Sequence, residues 1–141
     1  MTAVASDGAF GLQQSLPWRV KEELHFFKKL TFGHTLLVGK NTKLPSLPNR
    51  NVVRLDRDSC LSNYPDSFLI GGKTVIETLQ NNPLIKRWYL STITFPKEIE
   101  ADTYFHPVLI GWRLVEERVE NGWCSINQCS VRILFQTFER D

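Results

Sequence analysis

Leu16-Pro17-Trp18-Arg19-Val20-Lys21-Glu22-Glu23-Leu24-His25-Phe26-Phe27-Lys28-Lys29-Leu30-Thr31 reads as a turn followed by a helix. Wound at about 100° per residue, Val20, Leu24, Phe27, Leu30 and Thr31 fall on one arc, and Lys21, Glu22, His25, Lys28 and Lys29 on the opposite one. The pattern predicts an amphipathic surface helix. Glu23 breaks it, because it lies among Val20, Phe27 and Leu30 while Glu22 points to water. A carboxylate on a buried face is costly unless something pairs with it. Two readings stay open from the helix alone. Glu23 is a core acid satisfied by a backbone group or an arginine, or it floors an apolar cleft and binds a ligand with adjacent N–H donors. Pro17-Trp18 ahead of the helix adds an aromatic wall and an indole N–H, which needs a partner when buried.

Outward from the helix, strands and turns alternate. Residues 1–5 read as a strand, Ser6-Asp7-Gly8 as a turn, and Phe10 to Ser15 as a polar loop of the kind that is often mobile. Gly33 stands where a helix C-cap favours glycine. Thr35-Leu36-Leu37-Val38 is a continuous apolar run and predicts a strand buried on both faces. Pro45 and Pro48 limit the next segment to one helical turn. Asn51 to Leu55 reads as a strand and Asp56 to Asp66 as a loop. Ser67 to Ile70 is a second buried strand, followed by a helix over about 73–81 with Val75, Ile76 and Leu79 on one face. Arg87 to Ile93 is a strand, and 94–111 is irregular. Trp112–Val119 and Ser130–Phe138 alternate as antiparallel strands, joined through Asn121-Gly122. The whole predicts an α/β fold with a mainly parallel sheet and an antiparallel C-terminal edge.

The bulk properties narrow the function. A chain of 141 residues with 42% hydrophobic and 23% charged residues has the size and composition of one globular domain, 1–141. Its formal charge of +2, without a basic run, gives no footprint for nucleic acid. Cys60, Cys124 and Cys129 cannot all pair with one another and show no metal-site spacing, so the expectation is free thiols in a reducing compartment and no metal. No run is apolar enough to span a membrane, and no signal-peptide pattern opens the chain, which together predict a cytoplasmic location.

Two glycine turns carry further chemistry. In Val38-Gly39-Lys40-Asn41-Thr42 a strand ends in a glycine, a cation and a hydroxyl, a pattern that can meet phosphate but equally serves as an ordinary turn. Ile70-Gly71-Gly72-Lys73-Thr74 mimics the tail of a P-loop, but that motif requires glycine where Ser67 stands. Neither turn forms the G-x-G-x-x-G fingerprint of a Rossmann site. Paired glycines after a strand instead permit a close ligand approach.

Taken together, these pieces resemble dihydrofolate reductase. The resemblance rests on Ala3 and Asp7, Gly11, Leu16-Pro17-Trp18, Glu23-Leu24, Phe27-Lys28, Thr31, Val38-Gly39-Lys40 with Thr42, Leu47-Pro48-Asn49-Arg50, Ile70-Gly71-Gly72, Tyr89-Leu90-Ser91 and Asp102-Thr103, in family order. It implies a dihydrofolate-reductase-like sheet and reduction of dihydrofolate to tetrahydrofolate with NADPH, supporting thymidylate and one-carbon metabolism, in a monomer. It also implies residue roles. Glu23 would grip the pterin as a charge-assisted pair, Trp18 would hold a water beside it, and Ser91, where threonine is usual, would bond Glu23. Ala3, Leu24, Phe27, Leu47 and Ile70 would line the substrate pocket, and Arg50 would pair with the substrate's glutamate. Gly39, Lys40, Thr42, Gly71, Gly72, Lys73 and Thr74 would hold the cofactor's pyrophosphate, with Phe10, Gly11 and Leu16 in a loop closing over the nicotinamide. The Gly71-Gly72 peptide is cis in the family.

The departures fall mainly on one side. Lys40 replaces the usual arginine, Lys73 a third glycine, and the segment between Thr42 and Leu47 is short. Between Leu55 and Ser67 a strand and a helix that serve the adenosine half of NADPH are missing, a reduced adenosine-binding subdomain. Arg54 and Arg57 are candidates for the 2′-phosphate, or else solvated surface charge. Two rival readings follow from the resemblance: a reductase acting on a pyrimidine riboflavin precursor, and an inactive paralogue kept as a binding or structural part.

Overall fold

The computed structural model describes residues 1–13, 15–44 and 47–141. Gln14 and Pro45, which entered the loop and turn expectations, lie outside them. In chain order the elements are β1 (Thr2–Ala5), β2 (Ala9–Gly11), α1 (Lys21–Thr31), β3 (Thr35–Val38), β4 (Asn51–Arg54), β5 (Phe68–Gly71), α2 (Lys73–Leu79), β6 (Arg87–Thr94), β7 (Thr103–Tyr104), β8 (Arg113–Cys124) and β9 (Cys129–Glu139).

The strands form two larger sheets. One runs β4-β3-β5, all parallel, with β3 in the middle. Leu36, Leu37 and Val38 are buried there, as a strand flanked on both sides requires. The other runs β1-β6-β9-β8, with β1 parallel to β6 and the rest antiparallel. The Met1 nitrogen donates to the Leu69 carbonyl at 2.9 Å, which brings the β1 edge of one sheet to the β5 edge of the other. The expected parallel centre and antiparallel C-terminal edge are both present. The α/β class is therefore as read, with the layer divided where β1 meets β5.

Side-chain alternation explains where the core sits. Ala5, Ile93, Val131, Ile133 and Phe135 gather on one face with Trp18 and Val20. Val4, Trp88, Leu90 and Phe138 gather on the other with Phe10, Ile76 and Phe105. In β1, β6 and β9 the odd positions serve the first cluster and the even positions the second, as a period of two dictates. Helix α1 ends at Gly33, whose φ of +77° is the left-handed cap that glycine supplies without strain.

Five local expectations are corrected. Ala9–Gly11 is a strand, pairing with Thr103–Tyr104, not loop. β5 is only half-buried up to Gly71, because one edge and part of its face border a cleft. A short 3-10 turn, Leu61–Asn63, interrupts the loop before β5. Glu22 is half-buried rather than free in water; its carboxylate accepts an exposed hydrogen bond from the Trp123 amide at 3.3 Å. The hairpin does not turn at Asn121-Gly122. These residues lie within β8, opposite Arg132 and Val131, and the chain reverses at Ser125–Gln128, where Gln128 has a φ of +51°. Gly122 is small for another reason. A Cβ there would stand 2.5 Å from Glu22 Oε1, so the glycine admits α1 against the sheet.

Cys124 and Cys129 face each other at the end of the hairpin, and all three cysteines are free thiols. No helix among the described residues is long and apolar enough to cross a membrane.

Candidate active site

A cleft of about 1780 Å³ opens between α1 with its preceding loop and the C-terminal ends of β3, β4 and β5. This is where parallel strands leave room for ligands, because each hands over to a turn at the same edge. Its two ends have different chemistry. Ala3, Trp18, Glu23, Leu24, Phe27, Leu47 and Ile70 make one end apolar around a single acid. Gly39, Lys40, Thr42, Gly71, Gly72, Lys73 and Thr74 make the other a cradle of turns and cations, continued by Arg57. Phe10, Gly11 and Leu16 stand along the rim.

Glu23 is 6% exposed. Burial pushes its carboxyl up to about 7 from an ordinary value of 4.5, since desolvation disfavours the charged form. Among the described residues no cation pairs with it and no side chain hydrogen-bonds it, so the core ion-pair reading is not met. Trp18 is 3% exposed, and its indole N–H is the one buried side-chain polar atom without a partner among the described residues. An unpaired acceptor and an unpaired donor therefore share one apolar end of the cleft. Buried polar groups are normally satisfied, so this end is built for a polar ligand or water that carries both donors and acceptors. Leu24 and Phe27 stay half-buried because the apolar stripe of α1 forms the cleft wall here, not a core contact.

The opposite cradle is tight. Gly39 N donates to Gly71 O at 2.7 Å, so the two glycine turns are tied directly to each other. A Cβ at Gly39 would stand 2.9 Å from Val75 Cγ2, and one at Gly72 3.3 Å from Thr42 Oγ1. Glycine at both places lets these neighbouring side chains pack against the turns. The Gly71-Gly72 peptide is cis. Lys73 also makes a 3.7 Å exposed pair with Glu77.

The rim loop is fastened at both ends. Asp102 Oδ2 accepts from the Gln13 amide at 2.8 Å and Oδ1 from Thr103 Oγ1 at 2.9 Å. The Gln13 bond above all holds the Asp102 carboxyl below its usual range. At the far end the Ser125 amide donates to Arg19 O at 3.0 Å, and Asn127 Nδ2 to Pro17 O at 3.5 Å. The β8–β9 turn thus supports the loop and brings Ile126 to the cleft. Sequence reasoning missed this role; Asp102-Thr103 carried a signal only as part of the resemblance.

Three residues stand differently from the expectation. Ser91 is 1% exposed and lies outside the cleft wall, on β6 beside Ala3. It shares the α1-facing side of the sheet, yet makes no hydrogen bond to Glu23 among the described residues, so the expected pairing is absent. Arg50 does not line the cleft. Its guanidinium donates to Thr31 Oγ1 at 3.2 Å, to Pro48 O at 2.6 Å and to Lys28 O, and covers the Phe32 ring. Arg54 faces backbone carbonyls of the Gly39–Thr42 turn, not the cleft, which leaves Arg57 as the arginine at that end.

Comparison with known proteins points one way. The sequence profile of the family described as dihydrofolate reductase matches residues 1–63. Dihydrofolate reductase type 1 of Escherichia coli is 35% identical over 137 residues, covering 82% of this chain and 85% of that protein. Dihydrofolate reductase type 6 of Proteus mirabilis is 29% identical over 140 residues, covering 84% and 87%. In three dimensions the chain is similar to a dihydrofolate reductase from Enterococcus faecalis complexed with NADP(H) and RAB-propyl. The TM-score is 0.73 at 24% identity, with 99% of this chain and 94% of that one covered.

Proposed function

This chain belongs to the dihydrofolate reductase family, and on that premise we propose how its cleft reduces 7,8-dihydrofolate to 5,6,7,8-tetrahydrofolate with NADPH. The observation that carries the assignment of residues is the buried Trp18 Nε1, which has no partner among the described residues, together with Glu23, a buried acid without a salt bridge among them, at the apolar end of a cleft whose other end is a glycine cradle. The pterin ring of the substrate presents a ring N–H and an amino group side by side, and a carboxylate accepts both. Leu24, Phe27 and Leu47 sandwich the flat rings, and Ala3 and Ile70 close the space toward the cofactor.

NADPH, when bound, supplies the hydride that goes to C6 of the pterin. The glycine turns at Gly39 and Gly71-Gly72 line the cleft and would lie against the cofactor's diphosphate. Lys40, Thr42, Lys73 and Thr74, which line the cleft, would add positive charge and hydroxyl donors, and Phe10, Gly11 and Leu16 would stand on the nicotinamide side. The proton for N5 comes from water. Glu23 favours its arrival by holding negative charge in a site of low polarity, and the Trp18 N–H orients the water. The protein's contribution is alignment, exclusion of bulk water and charge placement.

The reading is tested by the fall in NADPH absorbance when dihydrofolate is added to the purified chain. Steady oxidation that requires dihydrofolate supports it. A folded chain with no turnover on dihydrofolate overturns it, and turnover only on a pyrimidine precursor of riboflavin would move the chain to that substrate.

Arg50 gives a second test. Three of the five guanidinium N–H groups are taken by Thr31, Pro48 and Lys28. That holds the fork rigid outside the cleft lining and leaves two N–H groups for a glutamate tail that projects beyond that lining. Arg50→Ala is expected to raise KM for dihydrofolate roughly tenfold and to leave affinity for a dihydropterin without the glutamate tail unchanged. Equal losses on both would remove Arg50 from substrate recognition.

A further inference from the structure

Arg54 is the last residue of β4, in register with Val38 at the end of β3. Its side chain reaches across to the turn that follows β3. Nη1 donates to Gly39 O at 3.2 Å, to Lys40 O at 3.5 Å and to Thr42 O at 2.7 Å. The turn has little else to hold that shape. Its own internal bond, Thr42 N to Gly39 O, is a long 3.4 Å, and the Gly39 N to Gly71 O bond ties down only its first residue.

The direction of the carbonyls matters for the amides. Gly71-Gly72 is the only cis peptide among the described residues, so the peptides after Gly39, Lys40 and Thr42 are trans. In a trans peptide the N–H points opposite to the C=O. With three carbonyls drawn toward Arg54, the amides of Lys40, Asn41 and Lys43 point the other way. All three residues line the cleft, whereas Arg54 does not. Among the described residues none of these three amides donates a backbone hydrogen bond. Free amides presented on one side of a turn can bind an anion.

We propose that Arg54 is a positioning residue for the cofactor: its guanidinium holds the carbonyls of the Gly39–Thr42 turn away from the cleft and so presents the opposite amides to a dinucleotide's diphosphate. The inference rests on the reductase reading, because the diphosphate belongs to that cofactor. Arginine suits the task, since it is always charged and presents several donors in a fixed plane, while lysine offers one compact charge. Arg54 acts through the turn and touches neither hydride donor nor acceptor. Its effect is therefore blind to the 2′-phosphate that distinguishes NADPH from NADH.

The experiment titrates NADPH and NADH separately into the full chain, following tryptophan fluorescence, for wild type, Arg54→Ala and Arg54→Lys. KM for dihydrofolate and the melting temperature are measured on the same preparations. Arg54→Ala is expected to weaken both dinucleotides by the same factor, roughly tenfold, with KM for dihydrofolate unchanged. Arg54→Lys is expected to recover part of the loss. A purely structural role would weaken dihydrofolate and both dinucleotides together, and that result overturns the proposal. Loss confined to NADPH would place Arg54 on the 2′-phosphate and also overturn it. If wild type binds both dinucleotides and Arg54→Ala binds them as tightly, the inference fails while the reductase reading stands. If wild type binds neither, both fail.

Discussion

Glu23→Gln is expected to lower turnover of dihydrofolate at neutral pH by roughly 10²- to 10⁴-fold while leaving NADPH affinity within about twofold of wild type, a spread of roughly 0.4 kcal/mol. The substitution keeps the size of the side chain and removes only its ability to carry negative charge. Glu23 is the single acid at the apolar end of the cleft, so no neighbour there takes over. The cofactor cradle is formed by other turns, beyond Ala3 and Ile70, which is why its affinity is spared. The pH profile carries the more specific signature. The wild-type carboxyl sits near 7 before ligand binds, so its ionisation falls within the working range, and a ligand with paired N–H donors draws it toward the charged form. The variant has no such group, and the inflection due to Glu23 is expected to vanish. Stopped-flow hydride transfer across pH 5 to 9 checks both points. Turnover close to wild type in the variant would end the assigned role.

How much of this was readable beforehand follows the range of the interactions involved. Glu23 stood out because one residue contradicted the period of its own helix, and a conflict of that kind needs no tertiary information. The glycine turns were local too, but a strand, a glycine and a cation in sequence suit an ordinary turn as well as a ligand site, and only the resemblance chose between them. The arginines could not be placed in this way. A guanidinium goes where carbonyls converge, and those around Arg50 come from the end of α1 and from Pro48, those around Arg54 from the turn after β3. Ser91 entered only through the resemblance, and a position matched in sequence does not set the distance to Glu23. Asn121-Gly122 has the chemistry of a turn, and the glycine is used instead to admit Glu22. β2 and β7 are too short for any period to show, so the support they give the rim loop through Asp102 emerged only in three dimensions.

The same carboxylate makes the ligand-free protein sensitive to pH. In the unfolded chain Glu23 titrates near 4.5, and in the folded chain near 7. Between these values the folded state holds a proton that the unfolded state has released. Stability therefore falls as pH rises. The contribution is fully present below about pH 4.5 and is lost as pH passes the folded value of about 7. The gap corresponds to about 3 kcal/mol, a large share of the stability of a small domain. Glu23→Gln removes the proton from the balance. At pH 8 the variant is expected to melt about 10 °C above wild type, and at pH 4 the two are expected to coincide. Comparing the two proteins at each pH isolates Glu23, because every other titrating group is common to both. Melting curves that stay parallel from pH 4 to 8 would show that burial does not hold the carboxyl high. A pterin ligand is expected to narrow the gap at pH 8, since its N–H groups pair with the charge that destabilises the empty cleft. The acid that turnover requires is thus the one that the folded chain, without ligand, would be better off losing.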